Sequence, residues 1–204
     1  MTVRGPGWLS PALKAIDAAN ELDPVLIEVD DVLRPKELVH SERMTAWLER
    51  LVQDPLPEQR LAARAHHFER WKSPRGDYPE GRAGYLRWRA EAKARHAGDV
   101  SDLLARHGVP ADVIERTADI ISKRALSTDE ATRVHEDCLC LTFFELQGLS
   151  TAERLGDKAA EVVRKTLAKM SDRGRRALDD AALHPAVREA VETQLAMLHD
   201  SGDT

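Results

Sequence analysis

The sequence predicts an all-α fold, with a helical domain over residues 1–172 and a C-terminal helical extension over 173–204 packed on it. Three observations carry that expectation. Apolar residues recur at three- and four-residue spacing through most of the chain, Pro and Gly punctuate the pattern at capping positions, and no run alternates as a paired strand would.

Ser10 followed by Pro11 reads as an N-cap with proline at the first helical position, and Leu13 and Ile16 continue at helical spacing. Pro24 and the acidic stretch from Glu28 to Asp31 predict a loop; Val25 to Val29 can extend but has no obvious partner strand. Pro35 then opens an amphipathic helix carrying His40, Met44, Trp47, Leu48 and Leu51, which ends at Asp54-Pro-Leu-Pro57. A helix from Leu61 to Trp71 stops before Ser73–Pro74 and Tyr78–Pro79. Another runs from Arg82 to His96 and is closed by Gly98, followed by short helices near Ser101 to Arg106 and Ala111 to Lys123. Ser127-Thr-Asp-Glu130 matches a capping box ahead of the most apolar helix, Arg133 to Gln147, which Gly148 terminates. Helices at about Thr151 to Met170 and Pro185 to His199 complete the chain.

Composition bounds the function. The 204 residues are 42% hydrophobic and 32% charged with a net charge of −5, enough for one core and against a general nucleic-acid coat or an anionic-membrane binder. No apolar run approaches the roughly 18–20 residues of a membrane span, and the N-terminus has no apolar h-region. Cys138 and Cys140, two positions apart, form no disulfide framework and project about 200° apart on a helix, so they read as core residues. These features point to a cytoplasmic protein. GxGxxG, Walker and GxSxG motifs are absent from the sequence.

His40 shares the apolar stripe of its helix with Met44, Trp47 and Leu51, where a hydrogen-bonded core histidine and a metal ligand are both admissible. His66 and His67 are adjacent, so on a helix they diverge by roughly 100° and at most one follows the Leu61, Ala65, Phe68 stripe. Asp137 lies on the face of Val134, Leu141 and Phe144, and a carboxylate there needs a cation, a metal or several donors. Imidazoles and a carboxylate on separate apolar faces suit a divalent ion such as Fe, Mn or Zn. Between Arg60 and Arg95, ten basic side chains stand against four acidic ones, interleaved with Trp71, Tyr78, Tyr85 and Trp88. Arginine forks beside aromatic hydroxyls recognise a phosphate or carboxylate. Arg70, Tyr78, Arg82, Tyr85 and Arg87 are therefore the expected substrate contacts, alongside a reading in which they only solvate a helix.

The order His40, the His66–His67 doublet, then Asp137 resembles the HD-domain superfamily of all-α metal-dependent phosphohydrolases and di-iron oxygenases. That resemblance implies His40, His66 and Asp137 as metal ligands, with His96 as an additional one and His107 and His135 behind it. The sequence departs at the signature pair, where His67 stands in place of the usual Asp and a metal-bridging carboxylate is missing. A longer resemblance covers about residues 10 to 172. The run RLAARAHHFERWKSPRGDYPEGRAGYLRWR, flanked by PKELVHSERMTAWLERL and HEDCLCLTFFE, is similar to an uncharacterised bacterial and fungal family, domain of unknown function 4202. The pattern of that family favours His67 over His66.

Taken together, these readings imply a metal-dependent hydrolase of HD-like type acting on a small anionic, phosphorylated substrate. Its metal would be held by His40, His66, His67, His96 and Asp137, with Glu69 or Glu136 as base or orienting group. An iron-dependent oxygenase and a non-catalytic helical binder of an anion or partner are the alternatives. A homodimer through the C-terminal helices is a further expectation.

Overall fold

Helix α1 (Leu9–Asn20) starts one residue before the expected cap, so that Ser10 lies inside its first turn, and it buries Leu9, Ala12 and Ile16. In the computed structural model, which describes residues 5–200, the acidic loop is a hairpin. Strand β1 (Leu26–Val29) pairs antiparallel with β2 (Val32–Pro35), Val29 opposite Val32. The partner strand is simply the next segment. Asp30 and Asp31 form a two-residue loop with φ of 51° and 62°, both positive as a type I′ turn requires.

Helix α2 (Lys36–Leu51) follows immediately. Buried Asp23 caps it from a distance: one carboxylate oxygen accepts the Glu37 N–H at 3.0 Å while the other accepts the Val25 N–H at 2.9 Å. Helix α3 (Pro57–Ala65) ends well before the expected Trp71. Glu69 turns the chain left-handed at φ 47°, and its N–H is received by the Asn20 side chain at 3.2 Å. Helix α4 (Gly81–Arg106) is one element, where the sequence predicted two split at Gly98. A glycine costs roughly 1 kcal/mol in a helix interior, which burial of Val100, Leu103 and Leu104 just beyond it offsets. Gly84 does have a steric reason, because a Cβ there would collide with the Pro79 carbonyl.

Helix α5 (Ala111–Ile121) leads through left-handed Lys123 and Ala125 to α6 (Glu130–Leu146). The cap of α6 is Asp129, not Ser127: its carboxylate accepts the Thr132 N–H at 2.8 Å and hydroxyl at 2.5 Å. A core of Leu9, Ile16, Leu61, Phe68, Leu104 and Ile120 unites α1, α3, α4 and α5.

The chain divides into two compact units, Met1–His135 and Glu136–Thr204. The division falls inside α6, where helical periodicity runs on unbroken, and not at the expected 172/173. In the second unit the anticipated helix from Thr151 to Met170 is two, α7 (Gly148–Leu155) and α8 (Ala159–Leu167), broken at Gly156 with φ 51°. The short α9 (Asp172–Arg176) has no counterpart in the sequence reading, and α10 (Pro185–Asp200) matches the last expected helix. Ser171 caps α9, its hydroxyl accepting the Gly174 N–H at 3.2 Å. The same serine donates its hydroxyl and N–H to the two oxygens of buried Asp137, at 2.5 and 2.8 Å. A Cβ on Gly174 would strike that carboxylate.

Replacing Ser171 by Ala is expected to lower stability by about 2–3 kcal/mol in urea unfolding, because it strips the buried Asp137 carboxyl of the hydroxyl donor at 2.5 Å and α9 of its cap. A change below about 0.5 kcal/mol would show that Asp137 is held mainly by other groups.

Candidate metal centre

Five of the eight histidines of the chain belong to the first unit and are wholly or largely buried: His40 on α2, His66 and His67 after α3, His96 on α4 and His135 at the start of α6. His66 closes α3 with helical dihedrals, φ −53° and ψ −41°, and its ring centroid lies 4.8 Å from that of His67. His40 stacks on His67 at 3.9 Å and faces His66 at 6.2 Å. His135 meets His66 edge-on, with Nε2 2.8 Å from the His66 Nδ1.

Glu37, three residues before His40, shares the His40 face of α2. Its carboxylate lies 3.1 Å from the His67 Nδ1, while Arg70 Nη1 lies 2.6 Å from the His67 Nε2. Arginine only donates, so Nε2 carries the lone pair and Nδ1 the proton given to Glu37. The Arg70 guanidinium sits over the Trp88 ring at 4.9 Å, and the indole N–H of Trp88 donates to the Ser73 carbonyl at 2.9 Å.

Burial dominates the electrostatics. Desolvation pushes His40 and His135 down to about 3 and His96 to about 4, and holds His66 and His67 well below the ordinary range. Arg70 adds to this at His40, His67 and His96, Lys36 at His40, and Lys123 at His66 and His135. Desolvation also raises Glu37 to about 7, opposed by Lys36 and Arg70. At neutral pH the imidazoles are uncharged, the form in which they ligate metals.

Among the described residues, Glu37, His40 and His67 form a set whose potential ligand atoms all lie within 4.8 Å of one another. Both ring nitrogens of His40 and the Nε2 of His96 are buried without a hydrogen-bond partner among the described residues. An orphaned buried polar atom costs roughly 1–3 kcal/mol, and a cation bound at His40 would remove that cost at one of its two nitrogens. The nitrogen and oxygen donors fit Zn, Fe or Mn.

Of the ligands expected from sequence, His40 and His67 belong to this set, and His66 and His96 stand in the surrounding imidazole cluster. Asp137 belongs to the second unit, where Ser171 engages both its oxygens. Glu136 is buried in that unit too. Glu69 pairs with Lys72 at 2.6 Å and turns the chain toward Arg70. Tyr78 donates its hydroxyl to Glu91 at 2.8 Å, and Arg87 pairs with the same carboxylate at 2.7 Å. Arg82 and Tyr85 are exposed on the first turns of α4. Glu37 was missed in the sequence, although its Glu-x-x-His spacing with His40 is a recurrent ligand spacing on helices.

Among the described residues no helix is long and apolar enough to cross a membrane. The family model described as a domain of unknown function, DUF4202, matches residues 10–191, and the chain belongs to that family. The match extends beyond residue 172, into α10. No curated protein and no solved structure matches the chain.

The histidine values fix a pH dependence. Unfolded histidines titrate near 6.5 and the folded ones far lower, so the unfolded chain binds more protons in between and stability falls as pH drops below about 6.5. Each such group contributes about 1.4 kcal/mol per pH unit across that window. Glu37, raised in the fold, acts in the opposite sense between its ordinary range and about 7, one group against five. Metal-free protein is expected to melt at progressively lower temperature from about pH 6.5 to about pH 5, followed by circular dichroism. A flat melting temperature over that interval would mean that the buried rings protonate without loss.

Proposed function

As a reading of this family member, we propose a divalent-cation-dependent hydrolase of HD-like architecture that acts on a small anionic, phosphorylated substrate. The observation that carries it is the buried His40 ring, with both nitrogens orphaned, stacked on His67 and three residues from Glu37. Glu37, His40 and His67 would hold the ion, and a divalent cation there would supply Lewis acidity for phosphoryl chemistry. Glu37 also accepts the Nδ1 proton of His67, fixing its tautomer and ring orientation as carboxylates do beside metal-ligating histidines.

The anionic character of the substrate rests on the cations of the same cluster. Lys36, Arg70 and Lys123 act on the histidines, and Glu37 faces Lys36 and Arg70. Arg70, half-buried and adjoining His67, presents a fork to a phosphate. Exposed Arg82 and Tyr85 extend the same basic–aromatic segment outward.

Elemental analysis of untagged protein is expected to find about one Mn, Fe or Zn per chain. His40→Ala is expected to abolish binding, and Glu37→Gln to weaken it roughly 10–100-fold. Metal-loaded protein should release phosphate from a panel of phosphomonoesters, and His40→Ala should not. Wild-type protein that neither purifies with nor takes up any of these ions would overturn the proposal.

A further inference from the structure

The side chain that would greet the anion also occupies the imidazole that would hold the cation. Arg70 Nη1 donates to the His67 Nε2 at 2.6 Å, and the His67 Nδ1–H points at Glu37. A cation entering at Nε2 must displace Arg70 directly. A cation entering at Nδ1 must first drive the ring proton to Nε2, where it would face a guanidinium that cannot accept it. By either route, His67 cannot ligate a cation until Arg70 lets go.

Where Arg70 would go is set by its surroundings. It lies over the Trp88 ring at 4.9 Å, and it follows the left-handed Glu69, whose N–H is fastened to Asn20. The backbone is therefore anchored while the side chain has a neutral, replaceable acceptor. Burial disfavours its charge, with Glu37 supporting it. A phosphate oxyanion is a stronger acceptor for a guanidinium than a neutral imidazole is.

We propose that Arg70 is a latch that couples the two ligands: it closes His67 to the cation until an oxyanion takes its guanidinium, so that cation and anionic substrate bind with positive cooperativity. This rests on the reading of Glu37, His40 and His67 as the cation site and adds an order of events to it. The step is an exchange of hydrogen-bond partners, with no bond made or broken covalently. By linkage, each ligand must tighten the other by the same factor.

The test is Mn2+ binding to the full chain, with free Mn2+ read from its paramagnetic resonance signal, with and without inorganic phosphate. Parallel titrations without protein correct for Mn2+–phosphate association. Phosphate is expected to tighten Mn2+ binding to wild-type protein roughly 10-fold, and Mn2+ to tighten phosphate equally. Arg70→Met should bind Mn2+ tightly without phosphate and respond to phosphate no further. The wild-type comparison needs no variant, so a poorly folding Arg70→Met does not blunt the test. Wild-type binding that depends on His40 but is indifferent to phosphate, or a folded Arg70→Met that binds no more tightly than wild type, would overturn the latch and leave the cation site standing. Absence of Mn2+ binding in wild type and Arg70→Met alike, with and without phosphate, would overturn both.

Discussion

Taking five imidazole rings out of water constrains the first unit more than any other feature. An imidazolium stripped of solvent among Lys36, Arg70 and Lys123 would be strongly disfavoured, so the rings stay neutral far below their ordinary titration range. Neutral rings stack closely, as His40 and His67 do, and keep lone pairs on their nitrogens. The arrangement that makes the cluster costly to acidify is thus the one that leaves its nitrogens as neutral donors. Burial also draws Glu37 toward neutrality.

Two buried polar side chains convert that constraint into geometry. Asp23 ties the end of the hairpin approach to the first turn of α2, and with it sets Glu37 beside His40. Asn20, the last residue of α1, receives the N–H of Glu69 and so holds the left-handed turn that sends His67 and Arg70 toward the same place. Neither residue is part of the donor set. Each acts through backbone position, and the site comes from chain segments that leave helices as much as from helices themselves.

The helical class was legible because apolar periodicity survives every local irregularity. What escaped were the irregularities. The hairpin lacks the Asn-Gly or Asp-Gly that usually announces a type I′ turn, its place taken by Asp30–Asp31. Gly98 reads as a helix end but keeps helical geometry inside α4, whereas Glu69, Lys123 and Ala125 reverse the chain without glycine. His40 and His67 stand out in the sequence by their chemistry. What the local pattern did not reveal is that α2 and the turn after α3 bring these rings to 3.9 Å, or that Glu37, at i, i+3 from His40, joins them. In the second unit Asp137 was recognised as a buried carboxylate in need of donors, yet nothing in the local sequence pointed to Ser171, 34 residues away.

The most direct measurement of the central claim is the titration of the histidine ring nitrogens by 15N NMR in metal-free protein, assigned through His→Gln variants. His40, His66, His67, His96 and His135 should remain neutral at about pH 5.5, with His67 in the Nδ1–H form. Ordinary titration of these five near pH 6.5, or a His67 protonated on Nε2, would contradict the desolvated cluster and the Arg70 contact built on it.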